Sequence, residues 1–348
     1  LKRKLLCLTL SLMMLLSVAT ACGGKNNSGT NGGSENTASE ESASSDSGGF
    51  VSIATGGTGG TYYPLGGALA TILNNADIGI QANAQSTGAS IENVQLIHNG
   101  DAEIAFIQND VSYYAANGKE FFSKDNPDAD PAVVGVYDEL RGIACVYPEV
   151  VQIIVSNDSG IKTVNDLKGK RVAVGAPGSS VEVNGRQIVE AYGLSYDDFA
   201  KTDFLSFTES ADGIKNGQID AAFMVASVPA SAVTELATTY DIHLLPIEKE
   251  VADKIIEQYP YYTYSDVDVS EYRGSEGTIP ALSVKAMLVV NKSMSEDECY
   301  NITKALFENL DTFGEAHARG KDLTLETALE GMSLEVHPGA QKYFDEQK

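Results

Sequence analysis

The chain has 348 residues, with 48 acidic against 24 basic side chains and a net charge of −24. No arginine-rich run or basic patch is present to neutralise phosphates, which argues against a nucleic-acid partner; an acidic surface chiefly keeps a protein soluble. A mean hydropathy of −0.11 excludes a chain embedded in a membrane over most of its length, and the length suffices for more than one hydrophobic core.

Residues 1–21 read as a signal peptide. Lys2, Arg3 and Lys4 are followed by an apolar stretch over residues 5–18, shorter than the roughly 20 residues of a spanning helix. Val18-Ala19-Thr20-Ala21-Cys22 resembles a bacterial lipobox, which implies cleavage before Cys22 and lipidation of its thiol; the alternative is an ordinary secretory signal with a chance cysteine. Residues 22–49 are almost wholly small or polar. Such a segment buries too little surface to offset its chain entropy and reads as a flexible tether.

From Phe50 onward strands and helices alternate, as expected of an α/β fold with parallel strands and crossover helices. Strands are expected at 50–54, 78–84 and 104–107, with helices at 62–74 and 90–98. The pattern restarts with strands at 147–155, 171–174, 204–207 and 221–225, and helices at 180–192 and 210–216. Asn99-Gly100-Asp101-Ala102-Glu103-Ile104-Ala105-Phe106 is echoed by Asn216-Gly217-Gln218-Ile219-Asp220-Ala221-Ala222-Phe223. Each reads as a helix end with a glycine C-cap, an acidic turn and a buried strand, and two similar lobes are the simplest account. A late strand is expected at 286–290 and one long helix at 295–317, capped by Ser295 with Glu298 at the capping-box offset.

Three strand–loop–helix junctions, at residues 55–61, 86–90 and 175–180, are rich in Gly, Ser and Thr. Free N–H groups and the helix dipole favour anions at such places, and open α/β sheets bind ligands at the carboxyl ends of their strands. The same residues also serve as tight turns and N-caps. Tyr62 stands where a dinucleotide fingerprint needs its third glycine, and no P-loop lysine follows. His98, His243, His317 and His337 are scattered, no nucleophile elbow occurs, and no metal or cofactor is expected. Residues 125–130 read as a solvated loop. Tyr259, Tyr261, Tyr262 and Tyr264 read as a packed or hinge ribbon rather than a binding box. Cys145 and Cys299 are expected as buried thiols, with a disulfide as the alternative.

These motifs resemble the TAXI-type solute receptors of TRAP transporters. The most specific stretch is Ala54-Thr55-Gly56-Gly57-Thr58-Gly59-Gly60-Thr61-Tyr62-Tyr63-Pro64-Leu65-Gly66-Gly67-Ala68-Leu69-Ala70. It is joined by Ser86-Thr87-Gly88-Ala89-Ser90, Ile107-Gln108-Asn109-Asp110, Tyr147-Pro148-Glu149, Gly175-Ala176-Pro177-Gly178-Ser179 and Val228-Pro229. The resemblance implies a type II periplasmic-binding-protein fold with a ligand cleft between its lobes. Lobe 1 would span 50–149, lobe 2 150–291, and residues 292–348 would return to lobe 1. It implies an extracytoplasmic, membrane-anchored lipoprotein that delivers a small organic acid or amino acid, glutamate-like in some members, to a separate TRAP permease. The ligand-binding residues are expected to be Gly59, Gly60, Thr61, Tyr62, Thr87, Ser90, Gln108, Asp110, Tyr147, Pro177, Ser179, Ser180 and Pro229. Within this set Asp110 would read an amino group, and Tyr147 and Pro229 would form walls. An enzyme on the same fold, acting on a small anion, and a ligand-sensing ectodomain are the alternatives.

Overall fold

The computed structural model describes residues 49–127, 129–275 and 277–348. The expected signal peptide, Cys22 and the tether up to residue 48 lie outside the described residues.

The first lobe is built from β1 (Gly49–Ala54), α1 (Tyr62–Asn75), β2 (Ile80–Gln85), α2 (Ser90–Asn99), β3 (Ile104–Gln108) and α3 (Asn109–Asn117). The long strand β4 (Leu140–Ser156) leads into the second lobe. That lobe holds β5 (Arg171–Ala173), α4 (Val181–Ala191), β6 (Lys201–Asp203), α5 (Phe207–Lys215), β7 (Ala221–Ala226), α6 (Ser231–Thr239), β8 (Ile242–Leu244), α7 (Lys249–Gln258) and β9 (Thr263–Asp268). The strand β10 (Thr278–Asn291) runs back, and α8 (Glu296–Phe307), α9 (Leu310–Ala316) and α10 (Pro338–Glu346) complete lobe 1. Among the described residues no helix is long and apolar enough to cross a membrane.

The strand order is β2-β1-β3-β10-β4-β7-β5-β6, with β8 on β4 and β9 on β10. Within each lobe β1, β2 and β3, or β5, β6 and β7, run parallel. β4 and β10 run antiparallel through both lobes. The first half of β4 and the second half of β10 belong to lobe 1, and their other halves to lobe 2. A register shift between Lys285 and Met287 falls opposite Pro148. Proline lacks a ladder N–H, and a bulge bends its strand, so the pairing is irregular at the crossing point; a second shift lies between Leu288 and Val289.

Each lobe buries apolar side chains on both faces of its part of the sheet, as a parallel sheet covered by helices requires. In lobe 1, Val51, Ile53, Phe106 and Leu288 pack with Leu65, Leu69, Ile302 and Leu306 of α1 and α8. On the other face Ala105 and Ile107 pack with Ile91, Val94 and Val111. In lobe 2, Val172 and Phe223 meet Ile188 and Ile255 on one face, and Ala222 and Met224 meet Ile214 and Val233 on the other. The echoed turns are helix ends with left-handed glycines, Gly100 at φ 75° and Gly217 at φ 65°.

Three expectations are corrected. The strand expected at 204–207 lies at β6, because Ser206 accepts from the Glu209 N–H while Glu209 reaches back to the Ser206 N–H, and this capping box starts α5. The helix expected at 295–317 is two helices. Asn309, between them, donates from Nδ2 to the Ala305 carbonyl, a local bond that competes with continued helix. The strand expected at 147–155 begins at Leu140, because β4 spans both lobes.

Candidate functional site: a cavity between the lobes

A cavity of about 80 Å³ lies where the two lobes meet the crossing strand. One buried water needs roughly 10–15 Å³, so the space suits a small organic molecule. Lobe 1 supplies Gly56, Gly57, Gly60, Thr61 and Tyr62 after β1, residues 87–90 after β2, and Gln108 at the end of β3. Lobe 2 supplies Ala176, Ser179, Ser180 and Val181 after β5, Ser206 and Phe207 after β6, and Val225 and Ala226 at the end of β7. All are at the carboxyl ends of parallel strands, where open α/β sheets place their ligands. Tyr147 and Glu149 enter from β4; two apart on a strand, they share a face.

Among the described residues Glu149 is the acidic side chain of the lining, and no Lys, Arg or His lines the cavity. It is buried. Its carboxylate accepts from the Tyr147 hydroxyl at 2.9 Å and the Tyr62 hydroxyl at 3.2 Å. Burial pushes the Glu149 carboxyl up to about 8, against the Gln108 amide and the two tyrosine hydroxyls, which favour its ionised form. Desolvation, with the Glu149 charge beside them, raises both tyrosines well above the ordinary phenol range. Gln108 is buried too, and its Oε1 has no hydrogen-bond partner among the described residues.

Nine of the residues expected from the sequence line this space: Gly60, Thr61, Tyr62, Thr87, Ser90, Gln108, Tyr147, Ser179 and Ser180. Several of their hydroxyls are already engaged. Thr61 Oγ1 bonds Ser227 Oγ of the opposite lobe at 2.7 Å, and Ser179 donates to the Ala176 carbonyl at 2.7 Å. Thr87 bonds the Thr55 carbonyl and Asn93, and accepts from the Ala89 N–H. Ser180, at the N-cap of α4, makes no capping bond with its side chain. The start of α2 differs from the expected anion site, because the Ile91 and Glu92 N–H groups donate to the Gly178 carbonyl of lobe 2, at 3.0 and 3.2 Å.

Four expected residues are not in the lining. Gly59 meets the other lobe: its carbonyl accepts from the Ala232 N–H at 3.0 Å, and a Cβ there would lie 2.7 Å from Thr208 Oγ1. Asp110 is fully buried and turned to protein, accepting from the Asn184 amide at 2.9 Å and the Val111 N–H at 2.8 Å. Pro177 faces an outer groove with Glu120 and Arg186. Pro229 faces a separate hollow beside His317, and its carbonyl accepts from Ser227 Oγ. Sequence reasoning passed over Glu149, although strand alternation from Tyr147 through Pro148 points to it.

Among solved structures, the chain is similar to the periplasmic aliphatic sulphonate binding protein SsuA of Escherichia coli, at 15% identity and a TM-score of 0.47, over 85% of this chain and 78% of that one. It is similar to a putative L-cystine ABC transporter from Listeria monocytogenes at 14% identity and a TM-score of 0.48, over 79% and 98% of the two chains. A binding protein component of an ABC phosphonate transporter from Pseudomonas aeruginosa matches at 15% identity and a TM-score of 0.46, over 78% of each chain. A family model matches residues 53–347, and the chain belongs to the NMT1-like family.

Proposed function

We propose that this protein is a solute receptor of an uptake system, which closes its two lobes on a small carboxylate and hands it to a separate membrane permease. The observation that carries this reading is the cavity itself, lined from both lobes and from the crossing strand. A site divided in this way opens and closes by hinge motion. The first turns of α1 and α4 border the cavity with Tyr62, Ser180 and Val181. Helix starts leave N–H groups without intrahelical partners and carry partial positive charge, so the carboxylate is assigned to this side. The motifs shared with TAXI-type receptors favour a TRAP permease as the recipient and an extracytoplasmic location anchored through Cys22. The names of the similar structures favour transport of small solutes in general.

A melting-temperature screen against amino acids, 2-oxoacids and dicarboxylates, after unfolding and refolding to strip carried-over ligand, tests this. A ligand at 100 times its Kd stabilises by about 2.7 kcal/mol. A selective rise with one class supports the receptor; a cooperatively folded protein that responds to no small carboxylate sinks it. The raised Glu149 carboxyl is also what a general acid would show, so an enzyme is the second reading. NMR of a bound candidate over hours separates the two: turnover means enzyme, an unchanged ligand means receptor.

A further inference from the structure

The lining of the cavity has two chemically different ends. On the α4 side stand the Ser180 hydroxyl and the first turn of that helix. On the β4 side stand acceptors. The Glu149 carboxylate offers two oxygens, each already receiving one tyrosine hydroxyl at 2.9 or 3.2 Å, and a carboxylate has about four lone-pair sites. The Gln108 amide nitrogen favours Glu149 in its ionised form, which leaves Gln108 Oε1 as a buried acceptor of this lining without a partner among the described residues. Unsatisfied buried acceptors are costly, and among the described residues no Lys, Arg or His lines the cavity to satisfy or neutralise this end. The groups facing Glu149 are Tyr62 of α1, Gln108 at the end of β3, Tyr147 of β4 and, further off, Asp110 of α3, none of them a cation. A ligand that brings both donors and a positive charge satisfies the Gln108 acceptor and lets Glu149 ionise against it.

We propose that Glu149 and Gln108 form an acceptor pair that selects a protonated primary amine, so that the substrate class is an amino acid rather than an oxoacid, hydroxyacid or dicarboxylate. This rests on the receptor reading and narrows it. It also moves the amine contact from Asp110, whose oxygens are turned to Asn184 and Val111. An ammonium group would complete the Gln108 acceptor and pair with the Glu149 charge. A ligand carrying only carboxylates brings no cation, so Glu149 keeps its proton and the Gln108 acceptor stays unfilled. A site built to bond a polar group rejects an analogue lacking that group strongly, because its own buried groups are then left unpaired.

The test is calorimetry on matched sets with one carbon skeleton each: glutamate, 2-oxoglutarate and 2-hydroxyglutarate; valine, 2-oxoisovalerate and 2-hydroxyisovalerate; and the same for alanine. The amino acid of the preferred skeleton is expected to bind at least about 100-fold more tightly than its oxo and hydroxy partners. In Glu149→Gln, with folding checked by its melting transition, that ratio is expected to collapse to within about tenfold. The wild type is expected to release about one proton on binding at pH 6.5, measured in buffers of different ionisation enthalpy, because Glu149 holds its proton up to about pH 8 when no cation faces it. Glu149→Gln is expected to release none, a difference that a merely structural role would not produce. An oxo or hydroxy acid binding as tightly as its amino acid, or an undiminished ratio in Glu149→Gln, overturns the amine selection and leaves the receptor standing. Binding by no member of any set overturns both.

Discussion

A Cβ placed on Gly88 of lobe 1 would lie 2.8 Å from the carbonyl oxygen of Pro177 in lobe 2. The glycine is therefore where one lobe's loop lies against the other's backbone. Gly59 does the same against Thr208 and Ala232, at 2.7 and 3.0 Å from a notional Cβ. Neither glycine has a positive φ, so alanine fits the local backbone; at Gly88 the notional Cβ also lies 2.7 Å from Glu92 Oε2 of its own lobe, the end of a flexible side chain that can shift, and the larger cost falls on the closed arrangement. Overpacking costs about 1–3 kcal/mol, and closing is part of the binding free energy. Gly88→Ala is expected to weaken ligand affinity by about 10- to 100-fold while leaving the melting temperature of the ligand-free protein nearly unchanged. Calorimetry and small-angle scattering check this: scattering should show less compaction at saturating ligand, and full compaction with unchanged affinity would count against the close approach.

The glycine-rich loops were legible as strand–helix junctions because a positional rule places them: in an open α/β sheet they sit at one end of the strands. Their contacts were less legible. Gly59 and Gly88 carry the composition of a ligand loop, but what stands opposite them is the other lobe, and nothing near them in sequence encodes Thr208 or Pro177. Glu149 was missed for the opposite reason. It sits inside the apolar run of β4, where a lone acid does not announce whether it is buried, and only the alternation with Tyr147 tells that the two share a face. Asp110 follows a strand end as a ligand residue would, yet Asn184 of the other lobe occupies its carboxylate. Pairings between lobes depend on how two folded units meet, and no local period reports that.

Glu149 makes the stability of the ligand-free protein depend on pH. Its carboxyl is raised from 4.5 to about 8 by burial, so the native state holds this proton more tightly than the unfolded chain does. Stability then falls as pH rises from about 4.5 to about 8, and the loss is complete above that. Asp110, raised by burial from 3.8 to about 6, acts in the same direction over a lower window. Glu149→Gln removes the larger contribution. Without ligand, the variant is expected to gain on the wild type in stability between pH 5 and pH 8, by on the order of a few kcal/mol at the upper end, read as a widening gap in melting temperature. A gap that stays constant across this range would mean that Glu149 is hydrated and titrates normally.

Cys145 on β4 and Cys299 on α8 are free and buried. Burial pushes each thiol up to about 12, so neither carries a reactive thiolate at neutral pH. Ellman's reagent is expected to label neither in the native protein and both after denaturation, and a reductant is expected to leave the melting temperature unchanged. Melting lowered by reductant would indicate a disulfide.

Asp110 sits at the head of a chain of buried hydrogen bonds across the lobes. Asn184 Nδ2 reaches both Asp110 Oδ2 at 2.9 Å and the Tyr262 hydroxyl at 2.6 Å; Tyr262 donates to Gln187 Oε1 at 2.9 Å, and Gln187 Nε2 donates to the Tyr114 hydroxyl at 3.3 Å. α3 of one lobe is thereby tied to α4 of the other, with Tyr262, just before β9, between them. Asp110→Ala leaves the Asn184 amide and the Val111 N–H short of an acceptor in a buried place, a loss of about 1–3 kcal/mol. The loss is expected in melting temperature and, because the chain spans the lobes, in affinity for every ligand by a similar factor. The preference for an amino acid over its oxoacid is expected to persist, since Asp110 does not line the cavity. Asp110→Asn, which keeps an acceptor oxygen, should recover part of both losses. Calorimetry on one amino acid and its oxoacid with each variant separates the roles: loss of the preference with Asp110→Ala would return the amine contact to Asp110 and take it from Glu149.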